Sequence, residues 1–165
     1  MDFEPEDRYI FASIDQKTAG LSLRLNLSIT PNLSIQYWGQ PFISAGDYTD
    51  FKKITDPKAD KYTDRYHTFT GDEITYNSTD NIYMVTDEPG MTYSFSNPDF
   101  NIKEFKSNFV ARWEYVPGST LYVVWSQGSS RYNSYGDFNL RKDMNDMIDI
   151  HPHNIFLIKL SYRLG

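Results

Sequence analysis

NIFLIKLSYRL, residues 154–164, is the stretch on which the fold turns. Phe156, Ile158, Leu160, Tyr162 and Leu164 fall on one face of an extended chain, with Lys159, Ser161 and Arg163 on the other, because successive strand side chains point to opposite sides. One face is apolar and the other carries charge. A tilted transmembrane β-strand needs about 9 to 11 residues alternating in this way. A strand of a soluble sandwich alternates too, so the reading depends on whether the rest of the chain repeats the pattern with turns in matching places.

It does. Leu21, Leu23, Leu25, Leu27 and Ile29 alternate with Ser22, Arg24, Asn26 and Ser28 without exception. Thr30, Pro31 and Asn32 supply a tight turn, Pro fixing φ and Asn tolerating a left-handed backbone. Leu33, Ile35 and Tyr37 then alternate with Ser34, Gln36 and Trp38 on a return strand. Further on, Phe105, Phe109, Ala111, Trp113 and Tyr115 share a parity opposite Lys106, Asn108, Arg112 and Glu114. Val116, Pro117, Gly118 and Ser119 form a second tight turn, and residues 120–127 return. The pattern predicts an all-β fold: an antiparallel meander of about five long strands at about 9–29, 33–43, 101–115, 120–127 and 154–164. Two long loops, 44–100 and 128–153, separate them. Within the first, residues 73–76 and 81–85 are expected to form a small hairpin, and within the second, residues 140–150 space Leu140, Met144, Met147 and Ile148 as a short helix ended by Pro152.

Turn lengths run short, long, short, long, so the short turns gather at one end of the sheet and the long connections at the other. Outer-membrane barrels have that asymmetry, with short periplasmic turns and longer extracellular loops. Five strands are too few to close a barrel of at least about 8. The chain is therefore expected to be the C-terminal segment of a larger transmembrane barrel, a single region whose remaining strands belong to the same parent chain, with the C-terminus periplasmic. Residues 1–8 read as a connector, and they lack the basic and apolar regions of an export signal, which fits either a cytosolic protein or a piece of a longer exported one.

Composition agrees with half-polar strands: aromatic content is 16% while mean hydropathy is −0.58. There is no cysteine, hence no disulfide or thiolate metal site. Residues 44–100 hold 11 acidic and 5 basic residues, so the formal net charge of −6 lies there, and the remainder balances at 11 of each. No basic stripe exists to neutralise phosphates, which disfavours nucleic acid as a partner.

Three segments carry a family resemblance: TPNLSIQYWGQPFISAGDYTDFKKITDPKADKYTDRYHTF (residues 30–69), FKSNFVARWEYVPGSTLYVVWSQ (105–127) and DMIDIHPHNIFLIKLSYRL (146–164). Together they resemble the C-terminal end of a family of Bacteroidota surface proteins with an uncharacterised β-barrel region, whose members often begin with a carbohydrate-binding module resembling family 9. The resemblance implies a barrel fold, an outer-membrane location and no established activity; for the full-length protein it leaves a structural or surface role linked to carbohydrate binding or uptake. That module is not in this chain, so sugar binding passes to no residue here. One departure is the ending Leu164-Gly165 where such barrels commonly finish on an aromatic.

On the barrel reading, Leu23, Leu25, Leu27, Ile35, Phe109, Trp113, Ile158 and Leu160 face lipid, while Arg24, Gln36, Arg112, Glu114, Lys159 and Arg163 face the lumen, with Asn26, Lys106 and Asn108 beside them. Tyr37, Trp113, Tyr115, Trp125 and Tyr162 suit an interfacial girdle. The loop tyrosines Tyr48, Tyr62, Tyr66, Tyr132 and Tyr135 are open to glycan contact or to plain loop packing. Asp149, His151 and His153 make a D-x-H-x-H cluster, the weak candidates for a metal; Pro152 interrupts them and no fourth ligand stands at a characteristic spacing, so no metal site and no cofactor are expected. Asp47, Asp50, Asp56, Asp60 and Asp64 can hold Ca²⁺ or bridge to lipopolysaccharide, but EF-hand spacing is absent and Lys52, Lys53, Lys58 and Lys61 alternate with them, which favours a solvated loop. No catalytic residue is assigned and G-x-S-x-G is missing. The expected partners are outer-membrane lipid, lipopolysaccharide, the remaining strands and glycans. Two alternatives are a soluble all-β glycan-binding module and a hydrolase using the acidic carboxylates.

Overall fold

Alternation over residues 21–29 produces a strand, and the Pro31-Asn32 turn folds it onto its successor. The computed structural model describes residues 8–88 and 91–164. In chain order the strands are β1 (Ile10–Gly20), β2 (Leu23–Thr30), β3 (Leu33–Ile54), β4 (Tyr66–Thr68), β5 (Ile74–Asn77), β6 (Ile82–Glu88), β7 (Met91–Ser96), β8 (Phe100–Val116), β9 (Ser119–Asn133) and β10 (His153–Ser161). A 3-10 turn, Tyr62–Arg65, precedes β4, and one α-helix, α1 (Leu140–Ile148), precedes β10. The larger sheet has the order β1, β3, β8, β9, β10, with β2 and β4 also on β3, while β5, β6 and β7 make a second sheet. The fold is all-β and, wherever the pairing is resolved, antiparallel.

The chain divides into two compact units. The first contains the described residues up to Gln16 with Gly46–Phe100 and Ser134–Asp137, and the second contains Lys17–Ala45, Asn101–Asn133 and the chain from Phe138. In the second, β2 lies against β3 with Leu25 opposite Tyr37 and Leu27 opposite Ile35. β8, β9 and β10 follow, with Phe109 opposite Trp125 and Trp125 opposite Phe156. The β8–β9 turn places Gly118 at φ 82°, the left-handed position that a Pro-Gly turn requires. Gly118 N donates to Glu114 Oε1 (3.0 Å), which ties the turn to its strand.

The first unit packs around Phe51, Phe69 and Val85. Phe69 N donates to Phe51 O (2.9 Å) beyond β4, and the Phe51 ring meets Tyr83 at 4.5 Å and Phe95 at 5.2 Å. Tyr83 and Phe95 stack at 5.4 Å. Beside them Asp87, its side chain only 1% exposed, accepts from Lys53 Nζ (2.6 Å) and from the Tyr93 hydroxyl (3.2 Å). Burial opposes ionisation of that carboxyl, but the hydrogen bond and charge of Lys53, with Tyr93 and Arg8, hold it below the ordinary aspartate value.

Several boundaries differ from the sequence expectation. Residues 44–100 are not a long loop: β3 continues to Ile54, β4 pairs with its end, and β5–β7 form a sheet of their own. Alternation disappears at residues 43–46 because Ile43, Ser44, Ala45 and Gly46 are all buried, and a strand buried on both faces loses its period-2 signal. The hairpin expected at 73–76 and 81–85 is present as β5 and β6, its turn held by Asn77 Oδ1, which accepts from Thr79 N (2.9 Å) and Asp80 N (3.3 Å). β7 was hidden behind the Pro89-Gly90 punctuation, which lies outside the described residues. Likewise residues 128–153 are not all loop, since β9 runs to Asn133 opposite Asn101. The connector expected at residues 1–8 lies, apart from Arg8, outside the described residues, as does Gly165.

Two outcomes follow for the first unit. Phe51→Ala opens a cavity in its core and is expected to lower the opening free energy of β5–β7 by roughly 3–5 kcal/mol, read as lost amide hydrogen-exchange protection. Because the Asp87 pKa is depressed in the fold, its stabilisation is complete above the ordinary aspartate pKa of 3.8 and is lost as pH falls through the lowered value. Asp87→Asn should therefore weaken the unit at neutral pH and flatten its acid sensitivity below pH 3.8, measured by tyrosine near-UV circular dichroism in urea.

Candidate membrane-facing surface

Side chains directly opposite in an antiparallel pair share a face. On β2 and β3, Leu23, Leu25 and Leu27 stand opposite Gly39, Tyr37 and Ile35. On β8, β9 and β10, Phe109, Ala111 and Trp113 stand opposite Trp125, Val123 and Leu121, which in turn stand opposite Phe156, Ile158 and Leu160. Glu114 N donates to Asn32 O (2.8 Å), which puts the even residues of β3 and β8 on one side and the odd residues on the other. All eight residues expected to face lipid thus occupy one face. Leu25 is 44% exposed and Ile158 74%, and Ile35 and Phe109 are half-buried within the same band. Contiguous exposed apolar surface of this kind is typical of protein, ligand or membrane interaction sites.

Aromatic side chains stand toward both ends of the band. Trp125 stacks on Phe156 at 5.7 Å, and its Nε1 donates to Asn154 Oδ1 (2.8 Å). Trp113 meets Tyr115 edge-on at 6.0 Å near the tight turn, and Tyr162 is exposed just past β10. Tyr37, expected in the same girdle, sits within the band itself, opposite Leu25.

The opposite face carries the polar set. Arg24 stands opposite Trp38, and Asn26 opposite Gln36. Arg112 pairs with Glu114 (3.1 Å) and Lys106 with Glu104 (2.9 Å). Lys159 and Arg112 both face Tyr122 across their ladders, and Arg163 N donates to Ser119 Oγ (3.1 Å) past the end of β10. This face is not wholly polar: Val110, Val124 and Leu157 run side by side across it.

The residues that alternation missed lie where the chain leaves the band. Lys103 shares the parity of Phe105 and Phe109 yet is fully buried. Its Nζ reaches Asp143 Oδ1 (3.1 Å) and Asp146 Oδ2 (3.0 Å) on α1, and Asn101 Nδ2 also donates to Asp143 Oδ1 (3.2 Å). Asp143 Oδ2 accepts from Asn139 N (2.9 Å), while Asn139 Oδ1 caps the helix by accepting from Lys142 N (3.0 Å). The hydrogen bond from Lys103 holds the Asp146 carboxyl below its usual range. A sequence signal was available: a lysine at an apolar-parity strand position, and an aspartate between Leu140 and Met147 on the apolar side of a helix, are two exceptions that resolve each other.

The other candidates scatter. Tyr48 packs against the Phe51 cluster. Tyr62 is exposed and meets Tyr66 edge-on at 5.4 Å, with Lys52 Nζ 5.1 Å above the Tyr66 ring. Tyr132 is exposed and Tyr135 half-buried. Among the described residues no three His, Asp or Glu side chains converge as metal ligands, and that includes Asp149, His151 and His153 as well as Asp47, Asp50, Asp56, Asp60 and Asp64. Asp56 instead closes its own turn, accepting from Lys58 N (3.0 Å). In the first unit, Glu73 accepts from Thr70 N (2.7 Å) and meets His67 Nε2 at 2.8 Å, contacts that lower its pKa in that order.

No family model, no curated protein and no solved structure matches this chain.

Removing Lys103 strands a buried carboxylate. Lys103→Ala is expected to destabilise the docking of α1 by roughly 3–5 kcal/mol. Adding Asp143→Ala should recover part of that loss in a double-mutant cycle followed by urea unfolding; simple additivity would contradict the coupling.

Proposed function

We propose that this chain is the C-terminal part of a larger outer-membrane β-barrel, with the Leu25 and Ile158 face toward lipid, the Arg24 face toward a water-filled interior, and no catalytic role in this segment. The observation that carries the reading is a β-sheet with an exposed apolar band. In water that band leaves a large apolar area unburied, at about 25 cal/mol for each Å². In a bilayer it is already in its preferred medium. The sheet also has strands at its two ends, β10 and the β1–β2 line, that are partnered on one side only among the described residues. Unpaired backbone groups in hydrocarbon cost several kcal/mol each, so a membrane location calls for further strands from the parent chain to close the sheet.

Orientation follows from turn length. The turns at Pro31-Asn32 and Pro117-Gly118 are tight, and β10 ends opposite Thr120, beside the second of them. By analogy with other barrels that end is periplasmic, and the long connections between the tight-turn hairpins are extracellular, where lipopolysaccharide and glycans are the available partners. The resemblance to Bacteroidota surface proteins supports the same placement. A soluble module would need a second layer over the apolar band, and among the described residues that band stays exposed.

The discriminating experiment compares the two faces. Leu25→Arg should cost about 2–4 kcal/mol near the bilayer midplane, whereas Asn26→Arg on the opposite face should be nearly neutral, measured by reversible folding of the complete polypeptide into liposomes. Equal tolerance of both would overturn the assignment of faces. In fractionated cells, an antibody to residues 44–100 should detect a species much heavier than 19.3 kDa in the outer membrane; a soluble species of 19.3 kDa would overturn the barrel itself.

A further inference from the structure

The polar face contains a concavity that the ion pairs around it leave open. Its volume is about 490 Å³, within the range of small-molecule sites, and it is lined by Arg24, Asn26, Gln36, Tyr37, Trp38, Asn108 and Val110. The register explains the convergence: Arg24 and Asn26 on β2 stand opposite Trp38 and Gln36 on β3, and Asn108 and Val110 come from the next strand, β8. Trp38 is fixed, since its Nε1 donates to Ser22 Oγ (3.2 Å). The ring therefore forms a prepared wall.

Charge decides what can sit there. On this face both glutamates are taken, Glu114 by Arg112 and Glu104 by Lys106. Arg24 has no carboxylate partner among the described residues, nor has Lys159, so the face carries uncompensated positive charge. The side-chain amides of Asn26, Gln36 and Asn108 likewise have no protein partner there. A planar guanidinium matches a carboxylate through two parallel hydrogen bonds. Amides can donate to and accept from the same hydroxyl-bearing ligand. An indole beside them offers an apolar surface to the C–H face of a sugar ring while its polar edge stays bonded.

We infer that this concavity is a binding subsite for a sugar acid, with Arg24 engaging the carboxylate, Asn26, Gln36 and Asn108 the hydroxyls, and Trp38 one ring face. The inference rests on the barrel reading only in requiring that the polar face be open to water. A neutral sugar loses the Arg24 contact. An apolar ligand leaves four polar side chains without water or partner.

The test is calorimetric titration of D-glucuronate and D-glucose into the complete polypeptide carrying this chain, in detergent micelles. Glucuronate should bind at least about tenfold more tightly than glucose, and Arg24→Gln should erase the difference, as expected for loss of one charge-assisted hydrogen-bonded pair. Trp38→Ala should weaken both sugars alike. Should Arg24→Gln fail to assemble, Asn26→Asp places an opposing carboxylate in the concavity and should weaken glucuronate about tenfold by repulsion. Equal affinity for the two sugars, no binding of either, or glucuronate affinity unchanged by these substitutions overturns the site. Membrane insertion of the same samples is scored separately by protease protection in liposomes. A protein that inserts but ignores glucuronate loses the subsite and keeps the barrel; one that binds through Arg24 in buffer without inserting loses the barrel and keeps the subsite.

Discussion

Register is the constraint on which the second unit depends. Once Phe109 stands opposite Trp125 and Trp125 opposite Phe156, every second residue on three strands is committed to the same side. The Asn32–Glu114 hydrogen bond carries that commitment to β3 and, through Leu25 opposite Tyr37, to β2. A slip of one residue in β2 or β10 would put Arg24 or Lys159 into the apolar band. The turn chemistry guards against that slip: Gly118 takes the left-handed backbone, and Glu114 holds its N–H from the strand below.

Where the band ends, an ion pair replaces apolar contact. Lys103 occupies a position that a strand of one period would give to a hydrophobe, and α1 supplies two carboxylates and a cover. Burying such charges is favourable only when hydrogen bonds satisfy them. Asp143 meets that condition through Lys103, Asn101 and Asn139 together. The two contacts from Lys103 to Asp143 and Asp146 tie this helix to β8 at a defined position. Apolar packing of Met147 alone would not select a position in this way.

The first unit is built on different terms. Its core is aromatic, with Phe51, Tyr83 and Phe95 in mutual contact, and its buried charge, Asp87, is held by Lys53 and Tyr93. Each unit thus buries a lysine–aspartate contact beside apolar packing, and each contact ties together segments distant in sequence. The tyrosines that composition put forward for glycan contact divide accordingly. Tyr48 belongs to this core, whereas Tyr62 keeps an exposed ring.

What the amino-acid sequence determined by itself is the content of short-range physics. Strict alternation from Leu21 to Ile29 and in residues 154–164, with Pro31-Asn32 and Pro117-Gly118 between runs, dictates strands, tight turns and an apolar face, because side-chain direction and turn geometry are set within a few residues. The helix at Leu140–Ile148 was legible for the same reason. Only the tertiary structure decided that β3 continues through Ile43, Ser44, Ala45 and Gly46, since burial on both faces erases the alternation that would have announced it. It alone joined Lys103 to Asp143 and gathered Arg24, Asn26, Gln36, Trp38 and Asn108 around one concavity. Those groupings depend on which strands pair and where the helix docks, and long-range pairing leaves no periodic trace in the residues that take part.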